Sequence, residues 1–132
     1  DEAEIDPVPR VVHHAGPAEF KPLTDMAAVI RSKNAGVNRI TFEVFFNTEE
    51  DYSAAIESNA FTIEEIHKVL RVAREEVIGA FRADPCHAVK ITVHRKTLSG
   101  SPGDRDVFGA QQHTKLASMK VPLFIKGKDA AP

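Results

Sequence analysis

The chain has 132 residues, of which 42% are hydrophobic and 27% charged, a composition typical of one globular domain with a sizeable core. Its formal net charge of −2 excludes an overall basic field, so nucleic acids and anionic membranes are not favoured as partners. No apolar run approaches the ~20 residues that span a bilayer, and a single cysteine, Cys86, cannot form an internal disulfide. These features favour a cytoplasmic protein.

The N-terminal part of the chain predicts an arm followed by a helix. Residues 1–20 mix acidic side chains with prolines and have no sustained period, which is typical of an extended arm or linker. Thr24 can cap a helix that Gly36 ends in a left-handed conformation. The apolar side chains on one face of this helix are Met26, Ala27, Val29 and Ile30. We therefore expect a short, one-sided helix before the first strand.

A strand and two helices are predicted next. Residues 39–47 alternate between apolar and polar side chains, and this period of two predicts a half-buried strand. The segment 48–58 has apolar residues at helical spacing, with Thr48 as a candidate N-cap. Another helix opens at Thr62, which has capping-box spacing with Glu65. The apolar stripe of that helix, which we expect to face the sheet, consists of Ile63, Ile66, Val69, Leu70 and Ala73.

The C-terminal half predicts a hairpin, a long loop and a last strand. Two β-rich runs, 77–83 and 87–95, are joined by the turn sequence DPC, which predicts a hairpin. A run at 116–124 predicts a fourth strand, and Pro122 confines that strand to an edge or an end.

The order of these elements predicts the α+β class. We expect a small antiparallel or mixed sheet of about four strands, with helices packed on one of its faces. Residues 21–125 form this single domain in the prediction, preceded by the arm at 1–20 and followed by a flexible tail at 126–132.

The predicted loop at residues 99–113 has the sequence SGSPGDRDVFGAQQH. Glycines such as Gly103 permit left-handed torsions, the proline restricts one φ angle, and Ser101 and Asp104 can bond to nearby backbone amides. A loop held in this way can point backbone N–H groups at an anion. The same composition also suits a structural turn that satisfies its own polar groups.

A second concentration of polar residues is RSKNAG at 31–36. Lys33 could bind an anionic group of a substrate, and Asn34 could bind a carbonyl or a hydroxyl. Alternatively, Lys33 only stabilises the dipole of the preceding helix, and Asn34 only forms part of the turn at its end.

The six histidines have no metal-ligand spacing, since neither HExxH nor CxxC is present, and we expect no metal site. His94 and His113 bracket the predicted loop and could meet at its base, where one could act as an acid or base. Phosphate-binding loops, dinucleotide fingerprints and nucleophile elbows are also absent from the sequence. The sequence therefore leaves any cofactor unknown.

Three segments, IRSKNAG, DPCHAVKIT and SGSPGDRDVFGAQQH, together resemble the domain of unknown function 4387 family. The resemblance extends over residues 21–123. The matching positions are Ser32, Lys33, Asn34, Ala35, Gly36, Gly100, Ser101, Pro102, Gly103, Asp104, Gly109, Ala110, Gln111, Gln112 and His113. The resemblance implies a small partner, or a fused C-terminal domain, of large proteins similar to AtuA, which is named for acyclic terpene utilisation. Lyase or hydratase steps on hydroxy-acid or hydroxyacyl substrates are the roles suggested for those large proteins.

Two hypotheses follow from this resemblance. In the first, the chain completes an active site shared with a large AtuA-like protein, and Asp104 or His113 moves a proton. The substrate-binding candidates in that site are Lys33, Asn34, Ser101 and Gly103. In the second, the chain is a non-catalytic assembly or regulatory module of the large partner. A stand-alone binder of small molecules ranks last, because so short a chain rarely encloses both a complete site and a core. A homo-oligomer is compatible with the first two hypotheses.

Overall fold

The computed structural model describes residues 6–7, 18–36, 38–94 and 104–124. In chain order the elements are β1 (Asp6–Pro7), β2 (Ala18–Pro22), α1 (Leu23–Met26), β3 (Ala27–Asn34), β4 (Arg39–Phe46), α2 (Glu49–Glu57), α3 (Ile63–Leu70), β5 (Val77–Ala83), β6 (Ala88–His94), α4 (Asp104–Ala117) and β7 (Lys120–Phe124). This arrangement confirms the α+β class.

The main sheet has the strand order β1-β5-β6-β4-β3, and every neighbouring pair in it is antiparallel. Strand β4 lies between β6 and the edge strand β3, and Phe42 in its middle is opposite Ile91 of β6 and Ser32 of β3. Each helix contributes to the core on the face of the sheet that carries Phe42. The helical side chains in that core include Leu23, Met26, Tyr52, Ala55, Ile56, Ile66, Leu70 and Leu116.

The predicted helix over residues 24–36 is wrong. Only one helical turn, α1, is present, and the chain continues as β3, which pairs with β4 from Ala27 opposite Phe46 to Asn34 opposite Ile40. The β-branched pair Val29 and Ile30 suits a strand, and pairing with β4 outweighs the weak helical pattern. Gly36 does have a positive φ of 119°, but it uses that conformation in the turn between β3 and β4.

Strand β4 is present as predicted, one residue shorter at its end, but it is buried on both faces. Its apolar face, which includes Phe42 and Val44, lies in the core as expected. The prediction of a half-buried strand implies that the opposite face is exposed to solvent. On that face, however, Thr41 and Glu43 are only 8% and 2% exposed. The polar face of β4 is therefore covered as well.

Local sequence signals for two helices and one hairpin are confirmed. The Thr48 hydroxyl accepts a hydrogen bond from the Asp51 amide at the start of α2, at 3.0 Å. The Thr62 hydroxyl accepts one from the Glu65 amide at the start of α3, at 3.3 Å. Strands β5 and β6 form the predicted hairpin, and a short 3-10 turn, Asp84–Cys86, connects them.

The apolar stripe of α3 packs into the core as predicted, except at its last position. Ile66 and Leu70 are fully buried, and Val69 is partly buried against the same core. The helix ends at Arg71, which has a left-handed conformation with φ of 58°. Ala73 lies beyond that end and is exposed, so the stripe is one position shorter than expected.

The predicted loop at 99–113 is wrong in its second part, because residues 104–113 are the first ten residues of α4. Gly109, Gln112 and Leu116 lie on the buried side of this helix, at the i, i+3 and i+7 spacing of one helical face. A glycine and a glutamine at those positions give a weak apolar signal, which explains the error. Residues 99–103 lie outside the described part of the chain.

The last predicted strand is present but shorter, and it belongs to a second sheet. Strand β7 begins at Lys120, and it pairs with β2 so that Pro122 is opposite Phe20. Since β2 extends over Ala18–Pro22, this small sheet includes residues on both sides of the boundary predicted at residue 20.

Candidate functional site

An open cleft of about 500 Å³ lies between the end of β3 and the middle of α4. Its lining residues are Ser32, Lys33, Asn34, Ile40, Gly109, Ala110 and His113. The strand contributes a hydroxyl and an amide side chain, and the helix contributes an imidazole. The cleft therefore combines polar groups that can bind a ligand with one group that can exchange protons near neutral pH.

Strand alternation explains why Ser32 and Asn34 reach this cleft. In β3 these two residues are opposite Phe42 and Ile40, both of which lie in the core between the sheet and the helices. On the helix, Gly109 is buried, and an alanine Cβ at this position would contact Ile40 Cδ1 at 3.5 Å. This distance is an ordinary van der Waals contact, so α4 packs closely against Ile40 at Gly109.

The side chain of Lys33 lies on the other face of β3. Its ammonium Nζ is 3.4 Å from Glu43 Oε2, and the side chain is 59% exposed. Successive strand residues point to opposite faces, so Lys33 cannot share the side of Ser32 and Asn34. The prediction that Lys33 binds an anionic group of a substrate assumed a helix end. In the strand, the residue still lines the cleft, but its ammonium is directed to Glu43.

Glu43 is the centre of a charged cluster on the face of the sheet opposite the helices. Three cations surround its carboxylate: Arg31 Nε at 2.8 Å, Lys33 Nζ at 3.4 Å and Lys90 Nζ at 3.6 Å. The register explains their proximity, since Arg31 and Lys90 are directly opposite Glu43 on the two neighbouring strands. The Arg31 guanidinium also lies over the Phe45 ring, 4.9 Å from its centroid.

The pKa of Glu43 reflects these opposing influences. Burial by itself raises the pKa of this carboxyl, but the hydrogen bond from Arg31 and the nearby Lys33 ammonium lower it by more. The net pKa is below the ordinary value of 4.5, so Glu43 is ionised at neutral pH. Sequence reasoning assigned Glu43 only to the outer face of a strand; its cluster became evident only from the pairing register.

We expect Glu43→Gln to lower the free energy of unfolding by about 1.5–3 kcal/mol at pH 7, the range for charge-assisted hydrogen bonds. A carboxyl with a lowered folded pKa stabilises the fold above its ordinary pKa of 4.5, and this stabilisation is lost as the pH falls through the lower folded value. Urea unfolding at pH 7 and at acidic pH should therefore show the gap between wild type and Glu43→Gln shrinking toward acid.

The matched control for this prediction is Glu64→Gln. Glu64 accepts hydrogen bonds from Arg74 at 2.7 and 3.0 Å, but both side chains are more than half exposed. Exposed ion pairs contribute little, so this variant should change stability much less. A Glu43→Gln effect that is the same at both pH values would show that the charge of Glu43 is not what stabilises the sheet.

The sequence matches the family described as domain of unknown function (DUF4387) over residues 23–120. The chain belongs to the DUF4387 family. This match includes every residue that lines the cleft. Comparisons with curated proteins and with solved structures gave no match.

In this DUF4387 member, three of the predicted site residues, Lys33, Asn34 and His113, line the cleft, although the Lys33 ammonium lies beside Glu43. Asp104 is the first residue of α4, more than one helical turn before the cleft begins at Gly109. Ser101 and Gly103 lie outside the described residues. The structure therefore brings together two binding candidates and one proton-transfer candidate.

Sequence reasoning gave no role to three residues that line the cleft, Ser32, Gly109 and Ala110, although each lies in a segment that carries the family resemblance. The sequence carried no signal for Ser32, because residues 27–34, which form the strand that directs it to the cleft, were predicted as a helix. His94 is the last residue of β6 and pairs with Arg39. By alternation it lies on the face of Glu43, whereas His113 belongs to a helix on the other face.

Gln112, the neighbour of His113, is 3% exposed on the buried side of α4. Its Oε1 has no hydrogen-bond partner among the described residues. A buried acceptor of this kind is normally paired with a donor. This amide is therefore a further polar group of α4 to which the sequence analysis gave no role.

A second polar cluster lies at the other end of the sheet, around the turn between β5 and β6. The Tyr52 hydroxyl donates a hydrogen bond to Asp84 Oδ1, which also accepts one from Arg82 Nε at 2.9 Å. Burial of the phenol and the adjacent Asp84 carboxylate raise the pKa of Tyr52. The His87 ring lies 5.6 Å from the Tyr52 ring, centroid to centroid. These contacts attach α2 to the hairpin turn, which is a structural role.

In the described part of the chain, no group of three or more His, Cys, Asp and Glu side chains is placed to hold a metal ion. Among its helices, none combines the length and apolar character needed to span a membrane.

Proposed function

We propose that this chain is a small subunit or domain of an AtuA-like lyase or hydratase complex that acts on a hydroxy-acid or hydroxyacyl substrate. The cleft between β3 and α4 would form one wall of a composite site. The observation that carries the proposal is the meeting of Asn34 and His113, from two distinctive segments far apart in the chain, in one cleft. The large partner and the substrate class rest on the resemblance in sequence.

The side chains of the cleft suit one half of a dehydration or hydration reaction. Such a reaction moves a proton at carbon and a proton at the departing or entering hydroxyl group. An imidazole such as that of His113 can supply or accept one of these protons. Ser32 and Asn34 can hold a hydroxyl or a carbonyl through hydrogen bonds. In this proposal, the large partner supplies the other acid or base.

The composite nature of the site has support in the position of Lys33. A substrate carboxylate needs a cation or a set of amide donors, and the Lys33 ammonium is paired with Glu43 on the opposite face of β3. We therefore assign the binding of the substrate's carboxylate or acyl group to the large partner, with the GSPGD segment as an additional source of amide donors. The proposal places this complex in the cytoplasm.

The second candidate function is a non-catalytic assembly or regulatory module for the same partner. The observation that favours it is again Lys33, because the one cation predicted for substrate binding stabilises the sheet instead. Both candidates require a complex, but only the first requires the cleft for turnover.

Blocking the cleft separates these two candidates. Ala110 is exposed and lines the cleft, whereas its exposed neighbour Gln111 does not line it. The chain and its large AtuA-like partner would be co-expressed, and hydration and dehydration of a panel of short hydroxy acids and their acyl thioesters would be measured. We expect Ala110→Phe to reduce turnover by ~10-fold or more, since a bulky ring in the cleft displaces the substrate.

Gln111→Phe is the matched control, because it adds the same ring to an adjacent exposed position of α4. This variant should retain turnover, and both variants should melt near the wild-type temperature and co-purify with the large partner. Full turnover by Ala110→Phe in an intact complex would instead support the assembly module. If no complex forms with the large partner, both candidates are wrong.

A further inference from the structure

The face of the main sheet that carries Glu43 has an excess of positive charge along its β3 side. Strand alternation places four cations on this face, and the register adds one acid at their centre. The cations are Arg31, Lys33, Arg39 and Lys90, and the acid is Glu43. Since the whole chain has 17 basic and 19 acidic side chains, this excess is local. The Arg31 and Lys33 side chains are 61% and 59% exposed, so this positive surface is accessible.

Strand β3 is also the terminal strand of the sheet, and in the described part of the chain it pairs with β4 alone. It has eight residues, or ~26 Å of backbone, and most of them are exposed. Such an edge presents a row of backbone donors and acceptors that can accept another strand. Val29, 47% exposed, adds an apolar contact on the same face as Arg31.

We propose that an extended acidic segment of a partner protein adds to the edge of β3 and directs its carboxylates to Arg31, Lys33 and Arg39. Charge complementarity argues for this occupant, because Glu43 neutralises only one of the four cations. The assignment of that segment to the large AtuA-like chain rests on the proposed function. The acidic strand itself follows from the edge and its charges alone.

A second copy of this chain is a poor occupant of the same edge. Two antiparallel β3 strands paired about Arg31 or about Ser32 would place Arg31 opposite Arg31 or opposite Lys33. Pairing about Ile30 would place the two Arg31 side chains diagonally across the strand pair, still within reach of each other. Like charges that face each other across a strand pair are destabilising. Charged edge residues of this kind prevent self-association but permit pairing with a strand of opposite charge.

The location of this edge has a consequence for the cleft. Ser32 and Asn34 alternate with Arg31 and Lys33 along β3, and they face the cleft on the other side of the sheet. A partner strand on this edge would therefore lie directly beside the cleft. Its side chains on the helix side would extend the cleft wall, so docking and completion of the site would be one event.

The first experiment measures association of the full chain with the large AtuA-like protein at about 50 and 300 mM NaCl. The test variant is Lys33→Gln/Arg39→Glu, which leaves Glu43 with Arg31 at 2.8 Å and Lys90 at 3.6 Å. The control is Lys68→Glu/Arg71→Gln on exposed positions of α3, which changes the net charge by the same amount. We expect the test variant to bind ~10-fold or more weakly at low salt, with a smaller loss at high salt, and the control to bind as wild type.

The second experiment uses a fluorescent peptide of alternating glutamate and valine, matched in length to β3, with a lysine-valine peptide as its control. We expect the acidic peptide, and not the lysine-valine peptide, to bind the wild-type chain and to shift the NMR resonances of the β3 amides. The test variant should not bind the acidic peptide. Equal binding of a DNA duplex of similar charge, or no shift at β3, would overturn the acidic-strand proposal. A test variant that binds the large protein as wild type does would reject the assignment of the acidic segment to that protein. If the peptide binds at β3 but the chain forms no complex with the large AtuA-like protein, the acidic-strand proposal stands and the proposed function is rejected.

Discussion

Replacing Phe42 by alanine should lower the free energy of unfolding by about 3–5 kcal/mol, the usual cost of deleting a fully buried phenylalanine. Phe42 is 0% exposed, and it lies in the middle of β4 between Ser32 and Ile91 on the neighbouring strands. Its ring packs in the same core as α3 and α4. Alanine would leave a cavity at the contact between sheet and helices, where the surrounding rigid strands cannot close it. Urea unfolding monitored by circular dichroism measures the change.

Phe20→Ala is the matched control, because it removes the same atoms from a ring that is 66% exposed on β2. Exposed substitutions usually change stability by less than about 0.5 kcal/mol. A similar loss of stability in the two variants would mean that the core is not on the face of β4 that carries Phe42.

Replacing His113 by alanine should reduce turnover of the reconstituted complex by ~100-fold or more, the range for removing a positioned acid or base. His113 is half-buried and faces Asn34 and Ser32 across the cleft. In the proposed function its imidazole exchanges a proton with the substrate. Turnover, co-purification and melting temperature would be measured on the same preparations, and only turnover should change.

Thr114→Ala is the control for this substitution, since Thr114 is exposed on α4 and its hydroxyl donates to the Ala110 carbonyl of the same helix, at 3.1 Å. Asp104→Asn tests the other candidate proton carrier, at the start of α4. If turnover is slow in the Asp104→Asn complex and normal in the His113→Ala complex, proton transfer is assigned to Asp104. Normal turnover in both would assign it to the partner.

The acidic-strand proposal and the cleft concern opposite faces of one strand, so their variants should act differently. Lys33→Gln/Arg39→Glu should weaken assembly, and Ala110→Phe should impair turnover within an assembled complex. A β3 edge that serves both functions explains why RSKNAG is a distinctive segment in a short chain. It would hold a partner on one side and a ligand on the other.

Several elements follow from the sequence alone because their signals are local. Thr48 and Thr62 begin their helices since each hydroxyl bonds a backbone amide three residues later. The alternation in residues 39–47 predicts β4, and the DPC turn predicts the β5 and β6 hairpin. Asn34 and His113 were also selected as site residues from the sequence. In each case the deciding contact or pattern lies within a few residues, or in a segment whose composition is itself distinctive.

Tertiary structure decided the rest because it depends on partners distant in the chain. Residues 27–34 have apolar positions compatible with a helix, and pairing with β4 made them a strand. The strand conformation places the Lys33 ammonium beside Glu43, on the face opposite Ser32 and Asn34. The burial of Glu43 likewise depends on the register that places Arg31 and Lys90 on either side of it. Similarly, residues 104–117 have only a weak apolar pattern, and they form a helix because Leu116 packs into the core. Local composition specifies caps, turns and alternation, whereas strand pairing across the sheet determines which face each side chain occupies and thereby which groups form the site.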